Sequence, residues 1–293
     1  MFFRRRKSRQ KARQKARQKR KAPKVTVLIP SGSDALGSGG IEYASSSHIG
    51  TRECQQDFVE TGTGAEGIVF GVLCDGMGGL DDGEYASRTA AQAMASAIAE
   101  MEPNCDIHAY LVLQVERINR LIFELPSDDS QRGAVGTTLV AVVITGSDLY
   151  WLSVGDSRIY IIRRKEILSV TRDHSYSLEL EAQVKQGRIT AEEAASNPNR
   201  DALISYLGVD VLTLIDSNRN PFSLEPGDTV LLCSDGLFRS LDESEIVEVL
   251  ERHSEDIVEC ARVLPLYAFD KAKGGQDNTT VILFRYQHGN QTV

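Results

Sequence analysis

Val69-Phe70-Gly71-Val72-Leu73-Cys74-Asp75-Gly76-Met77-Gly78-Gly79 is an apolar run that ends on an acid and then on glycine. It is too short for a helix and reads as a buried strand that delivers a carboxylate into a glycine-rich loop. An aspartate beside a glycine offers a side-chain oxygen and an unobstructed backbone carbonyl to one hard cation. Taken alone, Asp-Gly after a strand is an ordinary turn. The motif gains meaning only if other carboxylates arrive in the same way.

Three others do. Trp151-Leu152-Ser153-Val154-Gly155-Asp156-Ser157-Arg158 is a second strand that hands over an aspartate after a glycine, and the run 227–236 delivers Asp235 into a Ser-Asp-Gly turn. Gly274-Gly275-Gln276-Asp277-Asn278 places a fourth aspartate at the start of a strand expected over 279–284. Four separate surface turns would produce this pattern too, but aspartates beside apolar strands are costly to gather unless something neutralises them. Divalent cations do so, and oxygen-only ligands without a His or Cys cluster favour Mg or Mn over Zn. Two such ions roughly 3.5 to 4 Å apart would share a bridging carboxylate and a water, lowering the pKa of that water for in-line attack. Asp75 is the expected bridge. This chemistry suits phosphate esters, with Arg52 holding the phosphoryl oxygens. The plainer readings pair Arg52 with Asp57 in an exposed turn, and Asp156 with Arg158 in a hairpin.

Around these motifs the sequence alternates between helical and strand texture. Helices are expected over 84–101 and 107–123, short antiparallel strands over 138–145, 149–154, 159–162 and 167–170, and two more helices over 242–253 and 256–269. A strand is expected over 41–49 and a polar loop over 128–136. Residues 171–206 are polar and helix-prone, as a flap inserted between strands would be.

The 293 residues suffice for one domain with a sizeable core. No apolar run reaches the eighteen or so residues of a membrane span, and no secretory core is evident, so a cytosolic protein is expected. The five cysteines form no C-x-x-C pair and read as reduced thiols. The formal charge of −8 hides an asymmetry: thirteen of the thirty-three basic residues fall within 1–24, where no acid occurs. The rest carries twenty basic against forty-one acidic residues, a net of −21. Residues 1–24, with three near-copies of Arg-Gln-Lys-Ala, read as a disordered basic tail. Its expected targets are an anionic membrane surface, nucleic acid or an acidic protein. An acidic body does not attract a phosphoprotein by bulk charge and needs cations to handle phosphate.

Asp75-Gly76-Met77-Gly78-Gly79, Gly136-Thr137-Thr138, Gly155-Asp156-Ser157-Arg158, Ser234-Asp235-Gly236-Leu237 and Gly275-Gln276-Asp277-Asn278 together resemble the ordered motif set of the metal-dependent serine/threonine protein phosphatases of type 2C. The resemblance spans about 41–285. It implies an α+β fold, a sandwich of two antiparallel sheets flanked by pairs of helices in α-β-β-α layers, with metals at one end. It also implies a domain over 41–286 with a flap at about 173–205, preceded by the tail and a linker over 25–40 and followed by a short tail over 287–293.

By position, Asp75 resembles the carboxylate that bridges two Mn or Mg ions, Gly76 a carbonyl ligand, and Asp235 and Asp277 ligands of the more buried ion. Asp156 matches a ligand of a weaker third ion. Arg52 corresponds to the phosphate-binding arginine and Asp57 to an acid that orients water. Three departures stand out: Gln56 in place of a glutamate, Met77 in place of a histidine, and Arg239 where some relatives carry an acid near the third ion. The implied activity is hydrolysis of phosphoserine and phosphothreonine in proteins by a monomer that opposes a serine/threonine kinase. A non-catalytic phosphoprotein-binding regulator and a two-metal nuclease are the alternatives.

Overall fold

The computed structural model describes residues 25–28, 40–78, 82–102, 104–125, 135–272 and 274–287. The basic tail, most of the 25–40 linker, the 128–136 loop up to residue 134 and the C-terminal tail after residue 287 lie outside the described residues.

The chain runs through β1 (Val25–Leu28), β2 (Ile41–His48), β3 (Asp57–Thr63) and β4 (Val69–Met77), then α1 (Asp82–Ala99) and α2 (Ile107–Phe123). Next come β5 (Gly136–Thr137), β6 (Leu139–Thr145), β7 (Asp148–Val154), β8 (Arg158–Arg163) and β9 (Glu166–Ser169), followed by α3 (Ser177–Lys185) and α4 (Ala191–Ala195). Two short strands, β10 (Asp216–Ser217) and β11 (Phe222–Ser223), precede β12 (Thr229–Cys233). The last elements are α5 (Asp235–Phe238), α6 (Glu243–Arg252), α7 (Ile257–Lys271) and β13 (Thr279–Tyr286).

Two antiparallel sheets result. Sheet one has the order β1-β2-β13-β12-β8-β9, and sheet two β10-β7-β6-β4-β3, with β11 paired to β7 and β5 to β4. Alternation along each strand explains the layers. In β6, Leu139, Ala141 and Val143 pack toward α1 and α2, while Val140, Val142 and Ile144 pack toward the other sheet. In β12, Leu231 and Cys233 meet α6 and α7 while Val230 and Leu232 point inward. Strands covered on both faces carry near-continuous apolar runs, which is why β4, β6 and β12 were legible as buried strands. The α-β-β-α sandwich is the architecture the sequence implies.

The helices form for local reasons as well. Asp106 caps α2 by accepting the Ala109 N–H at 3.0 Å, and Leu111, Val115, Ile118 and Ile122 then recur on the buried face. Asp242 and Glu245 close a capping box on α6. All five cysteines are free thiols. No helix among the described residues is long and apolar enough to cross a membrane.

β3 was not anticipated. It is the edge strand of sheet two, and Asp57-Phe58-Val59-Glu60-Thr61-Gly62-Thr63 buries only Asp57 and Val59 and is polar or half-buried over the rest, so it forms no apolar run. Gly71, in the middle of β4, lies under the ring of Phe284: a Cβ there would come within 2.6 Å of Phe284 Cζ. Gly71→Ala is therefore expected to cost about 1–3 kcal/mol in urea unfolding through overpacking. Phe284→Leu in the same chain should recover part of that loss, and strictly additive costs would refute the contact as its source.

Candidate active site

Register brings the motif residues to one end of the sandwich. In sheet one, His48 pairs with Thr279, and Cys233 pairs with both Val281 and Arg158, so Arg52, Asp277, Asp235 and Asp156 all follow or precede rungs at that end. In sheet two, Asp57 pairs directly with Asp75, and Leu139 pairs with Val154. Ser234 Oγ, after β12, donates to Asp57 Oδ2 at 2.8 Å and ties the two sheet ends together.

Asp75 does not sit past the end of its strand. β4 continues through Gly76 and Met77, which pair with Thr137 and Gly136 of β5. The Asp75 backbone is held from three directions: its N–H donates to Thr138 Oγ1 at 3.0 Å, and its carbonyl accepts the Thr138 N–H at 2.8 Å and Thr137 Oγ1 at 2.9 Å. Gly136-Thr137-Thr138 is thus the clamp on the central carboxylate. Gly76 donates its N–H to the Gln56 carbonyl at 3.0 Å, and a Cβ there would lie 2.0 Å from the Gly83 carbonyl oxygen. Only glycine permits this approach of β4 to the first turn of α1.

Neither plain ion pair forms. Arg52 Nη2 reaches Asp277 Oδ2 at 2.5 Å, and Asp57 is buried beside Ser234. Arg158 binds Asp173 through two bonds of 2.8 and 2.7 Å, donates to the Tyr160 hydroxyl at 3.0 Å and stacks 3.6 Å over Phe238. Asp173 lies fifteen residues away with no motif around it, so sequence reasoning missed it. Nor does Asp235 occupy a glycine turn: it is the first residue of α5, behind the N-cap Ser234. Arg239, one helical turn on, places Nε 3.0 Å from Asp235 Oδ2 and Nη2 3.4 Å from Asp156 Oδ2.

The loop that carries Arg52 is bound to the loop that carries Asp277. Thr51 N–H donates to the Gln276 carbonyl at 2.8 Å, and the Gln276 N–H returns to Thr51 Oγ1 at 3.0 Å. Asn278 accepts the Gln56 N–H at 2.8 Å and donates to the carbonyls of Ile49 and Cys54 at 2.9 and 3.1 Å. Gly50 has φ +65°, and a Cβ there would strike the Asp277 carbonyl oxygen at 2.3 Å. His48 accepts the Gly50 N–H on Nδ1 at 2.9 Å, and buried His174 accepts the Gly155 N–H on Nδ1 at 3.2 Å beside Asp156. Both histidines are pushed below their ordinary pKa, chiefly by burial, and act as neutral acceptors.

The carboxyls repel one another. Burial pushes Asp57 up to about 7, with Asp235 and Asp277 adding to the rise and the hydrogen bond from Ser234 opposing it. Asp75 is pushed well above the usual carboxylate range by burial, then by Asp57, Asp235, Asp156 and Asp277. Asp156 rises to about 7 for the same reasons, and Asp235 rises by burial against the pull of Arg239. Such a set demands positive charge.

Among the described residues no three His, Cys, Asp or Glu side chains close into a ready cage for a metal ion. Arg52 and Arg239 hold oxygens of Asp277, Asp235 and Asp156. The donors nonetheless fit a hard divalent cation. They are all oxygens, they carry excess negative charge, and buried Asp57 Oδ1 has no hydrogen-bond partner.

Comparison with known proteins agrees. The family model for protein phosphatase 2C matches residues 44–264. The serine/threonine phosphatase stp of Listeria welshimeri is 32% identical over 215 residues, covering 72% of this chain and 82% of that protein. The solved serine/threonine phosphatase of S. agalactiae superposes with a TM-score of 0.75 at 32% identity, over 84% of this chain and all of that one. The catalytic domain of the phosphatase PstP, solved with two manganese ions, gives a TM-score of 0.67 at 31% identity over 84% of this chain and 97% of that one. The chain belongs to the protein phosphatase 2C family. Its class is that of the serine/threonine protein phosphatases.

A raised carboxyl pKa in the fold gives stability that is full below the unfolded value near 3.8 and lost as pH rises through the folded value. The ion-free protein is therefore expected to lose Tm as pH climbs from 4 through about 7. Asp57→Asn should raise Tm at pH 8 and leave it nearly unchanged at pH 4. Equal shifts at both pH values in a thermal scan would contradict this account.

Proposed function

We propose that this protein hydrolyses phosphoserine and phosphothreonine in other proteins by direct attack of water, using two Mn or Mg ions. Asp75, the Gly76 carbonyl, Asp235 and Asp277 would hold them, with Asp75 shared between the two. The observation that carries this reading is the gathering of these carboxylates at one end of the sandwich, where Asp235 and Asp277 raise the pKa of Asp75 and Asp277 raises that of Asp235. Bound ions supply Lewis acidity toward a phosphoryl oxygen and a water.

The chain's own residues supply the rest. Arg52 is 57% exposed at the rim, with Nη2 on Asp277, and its planar fork suits phosphoryl oxygens. Asp57 offers the unpartnered Oδ1 as an acceptor that orients water, its other oxygen being fixed by Ser234. None of the five cysteines lies in a phosphate-binding loop, which favours hydrolysis without a phosphoenzyme. Met77 carries no titratable group, so the leaving serine takes its proton from water or from another residue.

Incubation of the full chain with a phosphothreonine peptide and Mn tests this. Phosphate release should fall to background in Asp75→Asn, and Arg52→Ala should lower kcat/KM by about 10²-fold. No release with any divalent metal would favour the phosphoprotein-binding regulator instead.

The expected partners are phosphorylated proteins and a polyanion held by the basic tail. β1 begins at Val25, opposite His48, so residues 1–24 join the domain at the end that carries Arg52 and Asp277. Binding of the full chain to anionic vesicles, RNA or an acidic protein should decline steeply with salt and vanish without residues 1–24. Retention at high salt would exclude a charge-driven tail.

A further inference from the structure

Two core ions account for Asp75, Gly76, Asp235 and Asp277 and leave Asp156 unassigned. It arrives in the turn between β7 of sheet two and β8 of sheet one, and its side chain is almost wholly buried. Asp235 arrives from β12 of sheet one. The cation between them belongs to the protein. Arg239 lies four residues after Asp235 along a single helical turn whose geometry is fixed by its own N–H on the Asp235 carbonyl at 3.0 Å. Nε then meets Asp235 Oδ2 at 3.0 Å and Nη2 meets Asp156 Oδ2 at 3.4 Å, so one guanidinium joins carboxylates from both sheets.

A third divalent ion at Asp156 does not fit this arrangement. It would have to bind a carboxylate already paired with Arg239 and stand close to a like charge that reaches both Asp156 and Asp235. Arg239 also lines a cavity of about 230 Å³ with Asp156, Arg158, Asp173 and Arg200, the last lying just beyond α4. The fixed charge thus stands on the wall between the carboxylates and the segment that carries the short helices.

Building on the two-ion reading, we propose that Arg239 replaces a third cation. Its guanidinium neutralises Asp156 and orients Asp235, and the protein binds two divalent ions and no third. Arg239 is a positioning residue. Its charge is not lost to a chelator, and its ion pairs with Asp235 and Asp156 join the two sheet ends whether or not the core ions are bound.

Equilibrium dialysis of the metal-stripped full chain against rising Mn, with bound Mn counted per chain, tests this without an activity assay. Wild type should saturate at two equivalents, and Asp156→Asn should leave the count at two. Arg239→Asp should gain a weaker third equivalent that Asp156→Asn in the same chain removes, whereas Arg239→Lys should stay at two. If Arg239→Asp does not fold, judged by near-UV circular dichroism, the Asp156→Asn result in the wild-type background and the Arg239→Ala count decide the matter, the latter expected to reach three. A third equivalent in wild type that Asp156→Asn abolishes would overturn the proposal and leave the two-ion reading standing. So would a count of two in both Arg239→Asp and Arg239→Ala. No bound ion in wild type, or two retained in Asp75→Asn, would overturn the two-ion reading and this proposal with it.

Discussion

Asp57 and Asp75 are partners on one rung of the β3–β4 ladder, two carboxyls on adjacent strands at the closed end of an apolar sandwich. Directly opposed residues of an antiparallel pair share a face, so the repulsion between them cannot be relieved by turning one away. The rest of the site offsets it. Ser234 reaches across from the other sheet to Asp57, Arg52 sits on Asp277, and Arg239 spans Asp156 and Asp235. Burial and mutual repulsion still leave Asp57, Asp75, Asp156 and Asp235 reluctant to ionise without further positive charge. The same repulsion that disfavours the ion-free site would favour a bound divalent cation.

Holding that arrangement requires the backbone to be fixed before the side chains are. The two threonines of Gly136-Thr137-Thr138 bond to the Asp75 peptide groups and not to its carboxyl, so they set where the acid stands and leave its carboxylate oxygens free of them. Asn278 does the same for the Arg52 loop, with one acceptor and two donors spent on main-chain groups of Gln56, Ile49 and Cys54. These bonds join β4 to β5 and the β2–β3 connection to the start of β13. A site assembled from both sheets is in this way as rigid as the sandwich that carries it.

The layered fold was legible because strands covered on both faces must be apolar throughout and helices covered on one face must repeat every three to four residues. β4, β6, β12, α1 and α2 follow those rules closely. β3 escaped because an edge strand obeys neither, and the one-turn helix α5 escaped because Ser-Asp-Gly begins a turn or a helix equally well. At the site, the motif aspartates were visible near their glycines, but only Asp235 had its partner close by in sequence, Arg239 four residues on. Arg52 pairs with Asp277, Arg158 with Asp173 and Arg239 with Asp156, at separations of 225, 15 and 83 residues. Sequence proximity had offered Asp57 to Arg52 and Asp156 to Arg158. For Arg52 and Arg158 chain neighbours were the wrong guide because β-sheet pairing brings together loops that are distant in sequence.

Charge separation along the chain completes the picture. A body of net −21 repels phosphorylated proteins at long range, so productive approach has to depend on local cations at the rim. Arg52 is the exposed one, and Arg239, with 48% of its side chain accessible, is the other that touches the carboxylate cluster. Both are tethered and directional, whereas mobile ions come and go with their concentration. The thirteen cations of residues 1–24 are attached at the same end through β1, and screening by salt weakens their action beyond about 10 Å. At the cluster itself the fixed positive charge is that of Arg52 and Arg239, each held on a carboxylate by geometry and not by concentration.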